Sequence, residues 1–341
     1  MIERPGAACS NTPMVRASVI AALLLGLAAC GRDEARAPFA ESRVPPALSA
    51  RFQPPEGWAW GYVRAGLNPI QRYGVASTSR APRAIVVIVP GYGESAEVWF
   101  ETVRDLVDEG YIVWVLDRAG QGGSERFVLP RDLGHVPSFD PDVAGLTHLL
   151  RVVVRAPQEM PVLLMGHADG AVVALAAVES GLRVDGLIVS SPWLALGDTP
   201  PPMPGLDRTA APGWKPWTRE GPDDLAKGFT HDPWRGKVGH AWRTANPDLR
   251  MSGPSRGWLA AHRAASRGAI DRAAAARAPM LMLNADDDGA ALCQRAPQCR
   301  PVAVPGARRA VHLEADRWRT PWRRALVGFI AQTGDATQKS N

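Results

Sequence analysis

Two short segments carry residues whose types and spacing could do chemistry. Gly166-His167-Ala168-Asp169-Gly170 follows the apolar run Val162 to Met165 and opens a helix-forming stretch. A small-x-centre-x-small pattern between strand and helix has the form of a nucleophile elbow, a strained turn that presents its central side chain at the top of a sheet. The glycines are needed because backbone passes directly against backbone. Pro90-Gly91-Tyr92-Gly93-Glu94-Ser95 follows a second apolar run. Glycines there let backbone N–H groups face a developing oxyanion, together with the N–H of the residue after the elbow's centre. The expected donors are the N–H groups of Tyr92 and Asp169. The centre, however, is Ala168, and a methyl group cannot attack a carbonyl.

Substitutes for the missing hydroxyl are weak. Asp169 is an adjacent carboxylate, but reading it as the centre puts His167 where a small residue is required. Ser95 and Ser191 fall near strand ends, where ordinary loop hydrogen bonding accounts for them. His135 reads as structural, and His148, His231, His240 and His262 lie in no catalytic motif.

The elements that must position these segments alternate. Strand-length apolar runs at Ala84 to Val89, Tyr111 to Leu116, Val162 to Met165, Leu187 to Ser190 and Met280 to Leu283 are separated by helical stretches such as Glu97 to Glu109, Val143 to Arg155 and Ala171 to Ser180. Buried strands alternating with helices imply an α/β fold with a mostly parallel central sheet flanked by helices. Trp58 to Ala65 and Ile70 to Ser77 read as an antiparallel hairpin at one edge. The α/β core therefore runs over 57–193 and 278–333, ending in a polar tail at 334–341. Between the two parts, 194–277 shows no clear strand and reads as a helical and irregular cap insertion. Trp193, Trp214, Trp217, Trp234, Trp242 and Trp258 fall in or beside the cap. They either line an acyl-binding groove or form the cap's own core.

With 46% apolar and 21% charged residues, the chain is neither disordered nor a coiled coil. Its net charge of +5 is spread without a basic run, which argues against nucleic acid as a partner. The start is read as targeting: Met14-Val15-Arg16, an apolar stretch from Ser18 to Ala29, then Leu27-Ala28-Ala29-Cys30-Gly31. This resembles the lipobox of bacterial lipoprotein signal peptides, which implies lipidation of Cys30, loss of the segment before it and a Pro/Ala-rich tether over 31–56. The anchor would place the protein in the bacterial envelope facing the periplasm, and Gly31 points to the outer membrane rather than the inner. Cys293 and Cys299, six residues apart, then form an isolated pair expected to close a local disulfide in an oxidising compartment. Neighbouring His or Cys for a metal site is lacking, so no metal or cofactor is expected.

Pro90 to Ser95, Asp117 to Ser124, the elbow, Ser190-Ser191-Pro192 and the cap segments Phe229 to Pro233 and Gly253-Pro254 together resemble the lysophospholipase L2 and monoacylglycerol lipase group of α/β-hydrolases. The resemblance, over roughly 58–330, implies an α/β-hydrolase fold and hydrolysis of lysophospholipids or monoacylglycerols by a Ser, Asp, His triad. The nucleophile position is Ala168. The acid position falls on Asp288, within Asp286-Asp287-Asp288. Where the family has its histidine this chain has Arg309, with His312 three residues further on. Two explanations of Ala168 follow. Alanine in place of the nucleophilic serine of an ester hydrolase that uses Asp288 and His312 would be one lesion. Ala168 with Arg309 in the base position would be two, as in a natural pseudoenzyme that binds an acyl chain or glycerolipid without turnover. Two losses favour the pseudoenzyme, whose protein partner, if it has one, the sequence does not name.

Overall fold

A computed structural model describes Met1 and residues 41–194, 203–221, 228–284 and 287–340, the side chains of 287–288 and 337–340 excepted. The signal peptide and Cys30 lie outside the described residues, as does the side chain of Asp288.

The strands follow from the apolar runs. They are β1 (Ala59–Val63), β2 (Gln71–Ala76), β3 (Ala84–Val89), β4 (Tyr111–Leu116), β5 (Val162–His167), β6 (Gly186–Ser190), β7 (Met280–Leu283) and β8 (Cys299–Val302). They form one sheet in the order β1-β2-β4-β3-β5-β6-β7-β8. The β1–β2 hairpin and the β2–β4 pair are antiparallel, and every other pair is parallel. All six residues of β3 are buried, as expected when helices cover both faces of a parallel sheet.

Alternate residues feed two cores. Val87, Val89, Leu164 and Val189 pack with Ala171, Val172 and Leu175 of α3 (Gly170–Glu179). Val86, Ile88, Met165 and Ile188 face the other way, onto Val103 and Leu106 of α1 (Phe100–Asp108) and Trp322 and Leu326 of α7 (Asp316–Ser340). The remaining helices are α2 (Asp140–His148), continued by a π-turn over Leu149–Val154, α4 (Val238–Ala245), α5 (Arg256–Arg272) and α6 (Asp287–Arg295). Within the expected cap, the described residues hold α4 and α5 and no strand. Among the described residues no helix is long and apolar enough to cross a membrane.

Most of the cap tryptophans are packed rather than displayed. Trp242 joins Phe52, Phe100, Val238 and Leu249 in a third cluster, Trp258 enters the main core, and Trp234 is exposed. Cys293 and Cys299 are bridged, with their Cα atoms 5.3 Å apart, which ties α6 to β8.

Candidate active site

The elbow owes its shape to small residues. Ala168 adopts φ +50°, the left-handed region that an L residue enters only at a cost. Its N–H donates to the Ser190 carbonyl at 3.0 Å, and its carbonyl accepts from Trp193 N–H at 3.1 Å. A Cβ on Gly166 would lie 2.4 Å from Ala171 Cα, and one on Gly170 would lie 2.3 Å from the Pro90 carbonyl oxygen. Neither glycine can be replaced without moving backbone. The turn of a nucleophile elbow is therefore present, carrying a methyl group.

The loop after β3 lies directly against it: a Cβ on Gly91 would sit 3.0 Å from that of Ala168. Here the structure corrects an expectation. The Tyr92 N–H, expected to await an oxyanion, donates instead to Asp169 Oδ1 at 2.6 Å. The cause is electrostatic. Arg118, buried after β4, pairs with Asp169 Oδ2 and also lies 3.3 Å from Asp142 Oδ2, so the Asp169 carboxylate is turned back across the elbow. It accepts the Tyr92 N–H bond that a reacting carbonyl would need. Burial and this carboxylate together push the Tyr92 phenol above its ordinary range.

Of the two candidates for the base, His312 lies beside the elbow residue His167, their ring centroids 4.5 Å apart. A 3-10 turn over Val311–Leu313 turns its ring inward, where it is fully buried and stacked on Trp99 at 4.0 Å and 3°. Arg319 Nε fixes that turn by donating to the His312 carbonyl at 2.9 Å. Arg309 is exposed, its guanidinium lying 5.6 Å from the ring centroid of Trp193, whose N–H is bonded to the Ala168 carbonyl.

Two further residues belong to the site. Glu94 Oε2 accepts from Gly91 N–H at 2.9 Å and from Trp99 Nε1–H at 3.1 Å. Its other oxygen, Oε1, faces His312 Nε2 at 3.3 Å and His167 Nε2 at 3.8 Å. Burial alone would raise the Glu94 carboxyl, but the two histidines and the hydrogen bond from Gly91 N–H hold it at about 2. Desolvation outweighs the Glu94 charge at His167 and lowers that imidazole to about 4, so it is neutral at pH 7. Sequence patterning passed over Glu94, although its place three residues after Gly91 in the loop following β3 is the signal that would have found it.

The other histidines serve packing. His135 Nδ1 lies 2.8 Å from Ser255 Oγ, His262 Nε2 lies 2.8 Å from the Trp193 carbonyl, and His231 pairs with Glu314 at 2.8 Å. Above the elbow, Trp193 stacks on Trp258 at 5.7 Å, and Trp258 meets Tyr92 edge-on at 4.5 Å. Ser95 and Ser191 are buried loop residues, the latter accepting from Asn284 Nδ2 at 3.2 Å.

Sequence and fold comparisons show the family and the fold. The family model for serine aminopeptidase, S33, matches residues 80–308, more than half of the chain. The chain belongs to the S33 hydrolase family. Lysophospholipase L2 of Escherichia coli K12 is 23% identical over 274 residues, covering 72% of this chain and 80% of that protein. The monoglyceride lipase of Rattus norvegicus is 32% identical over 119 residues, 34% of this chain and 37% of its own length. Among solved structures, a soluble variant of the Saccharomyces cerevisiae monoglyceride lipase, in complex with a substrate analog, superposes with TM-score 0.64 at 17% identity. That match covers 85% of this chain and 99% of the yeast protein. The Paleococcus ferrophilus monoacylglycerol lipase gives 0.58 at 20% identity, covering 76% and 98%. The S33 chain thus has the α/β-hydrolase fold, with an elbow whose central side chain is a methyl.

Proposed function

We propose that the protein is a lipid-anchored envelope member of its family that holds an acyl chain or glycerolipid without hydrolysing it. The observation that carries this reading is the Tyr92 N–H bond to the Asp169 carboxylate beside Ala168. Acyl transfer needs a nucleophile and donors aimed at the oxyanion. Here the first is absent and one of the second is already spent on a neighbouring anion. Both departures lie on the elbow itself, which fits a site repurposed as a whole rather than one altered at a single residue. The choice of ligand draws on the relatives, which include a lysophospholipase and monoglyceride lipases, and on Trp193, whose N–H is bonded to the Ala168 carbonyl. Anchoring draws on the lipobox-like run ending in Cys30.

One observation favours the alternative, a serine ester hydrolase in which alanine has replaced the nucleophile. The strained φ of +50° at Ala168 is retained although no nucleophile benefits from it. A single pair of assays separates the readings. The protein should take up a monoacylglycerol or lysophospholipid in isothermal titration, yet show no fluorophosphonate labelling and no p-nitrophenyl ester turnover above background. Labelling of the unaltered chain, or failure to bind either lipid, would overturn the proposal.

A further inference from the structure

Three buried or half-buried ligand atoms from three distant segments converge beside the elbow. They are Glu94 Oε1 from the loop after β3, His167 Nε2 from the end of β5 and His312 Nε2 from the turn before α7, all within 4.8 Å of one another. We propose that Glu94, His167 and His312 form a three-ligand site for a divalent transition metal of the zinc type.

The donor chemistry supports a cation. A carboxylate oxygen and two imidazole nitrogens point at one small volume, and the Arg243 guanidinium that feels the Glu94 charge donates to the Gly93 carbonyl rather than to the carboxylate. His312 Nε2 has as its partner only Glu94 Oε1, at 3.3 Å, and Nδ1 has none among the described residues, although the ring is wholly buried. Buried polar atoms left in that state are rare and call for a partner. A metal bound at about 2.0–2.2 Å in tetrahedral geometry spaces its ligand atoms roughly 3.4 Å apart. The contacts of 3.3 Å and 3.8 Å to Glu94 Oε1 already approach that spacing.

The surroundings are those of an oriented ligand set. Glu94 Oε2 is held by Gly91 N–H and Trp99 Nε1–H, which leaves Oε1 free to ligate. His167 Nδ1 lies 3.4 Å from Ser190 Oγ, and the His312 ring is clamped flat on Trp99. Such outer contacts fix ring and carboxylate orientation at metal sites. Two imidazoles and a carboxylate suit zinc and its neighbours in the first transition row better than magnesium or calcium, which prefer all-oxygen sets. Three protein ligands leave a further position open. The Glu94 side chain keeps 16% of its surface exposed, so the cluster is not sealed from solvent.

The test uses the full chain, stripped with chelator and free of lipid, so that it does not depend on the ligand reading above. Titration with Zn2+ or Co2+ should reach one equivalent, and X-ray absorption of the loaded protein should show a nitrogen and oxygen shell with imidazole scattering and no sulfur. Glu94→Gln, His167→Gln and His312→Gln should each weaken binding by at least about 10- to 100-fold, the loss already caused by disturbing outer partners. His148→Gln, on helix α2, should leave it unchanged. Where a variant does not fold, judged by near-UV circular dichroism, the wild-type absorption spectrum decides. Absence of stoichiometric binding, a sulfur-containing shell, or affinity unaffected by all three folded variants would overturn the proposal.

Discussion

Restoring the serine alone should not restore the enzyme, because the oxyanion pocket is also compromised. In Ala168→Ser, a substrate carbonyl would have to compete with Asp169 Oδ1 for the Tyr92 N–H, which that carboxylate holds at 2.6 Å. Loss of one oxyanion donor costs about 100- to 1000-fold in kcat, or roughly 2.7–4 kcal/mol of transition-state stabilisation. The carboxylate cannot swing away freely, since its other oxygen is paired with buried Arg118. Ala168→Ser with Asp169→Ala frees the N–H, while Arg118 keeps Asp142 as a partner at 3.3 Å. With the protein stripped of metal and His312 as the base, the double variant should therefore hydrolyse p-nitrophenyl acyl esters at least about 100-fold faster than Ala168→Ser. The assay is initial-rate hydrolysis with near-UV circular dichroism as a folding control, because breaking a buried pair can cost about 3–5 kcal/mol. Equal rates in two folded variants, whether both fast or both at background, would refute the reasoning.

Other expectations follow from separate parts of the chain. The protein expressed in a bacterial host should incorporate labelled palmitate and partition into detergent, and Cys30→Ser should abolish both; a soluble, unlabelled wild-type protein would contradict the anchor. Opening the Cys293–Cys299 bridge with Cys293→Ser and Cys299→Ser should cost about 2 kcal/mol in urea unfolding and leave the protein folded, as expected for so short a loop; an unchanged midpoint would contradict it. Burial raises the Glu179 carboxyl to about 7 despite Arg272 at 3.3 Å. A carboxyl raised on folding contributes stability that is full below its unfolded value near 4.5 and is lost as pH rises through about 7. Glu179→Gln should therefore raise the free energy of unfolding at pH 8 by an amount of order 2 kcal/mol, after allowing for the partly solvated partner, and change it little at pH 5. A gain at pH 5 equal to that at pH 8 would contradict this account.

What the sequence disclosed depended on how local the cause was. Ala84 to Val89 is legible because a strand covered on both faces is apolar throughout. β8 was missed because Cys299-Arg300-Pro301-Val302 is an edge strand, short, half-exposed and interrupted by proline. The elbow is legible because tight backbone packing demands small residues at Gly166 and Gly170, and that demand is written locally. The fate of the Asp169 carboxylate is not local: it is set by Arg118 and Tyr92, which lie 51 and 77 positions away. The burial of His312 likewise depends on the 3-10 turn at Val311–Leu313, which takes its ring inside while Arg309 stays exposed. Glu94, His167 and His312 meet only because β3, β5 and the last loop end on the same edge of the sheet, so no spacing along the chain announces that the three come together.

The central claim is that a lipid is held and not cleaved. Purified protein is incubated with a deuterated monoacylglycerol or lysophospholipid, and bound lipid and released fatty acid are followed together by mass spectrometry. The account predicts a saturable complex with the intact lipid and fatty-acid release no faster than about 1000-fold over the uncatalysed rate, the remainder that binding and the surviving donor can supply. Catalytic release with multiple turnovers, or no complex at all, would contradict it.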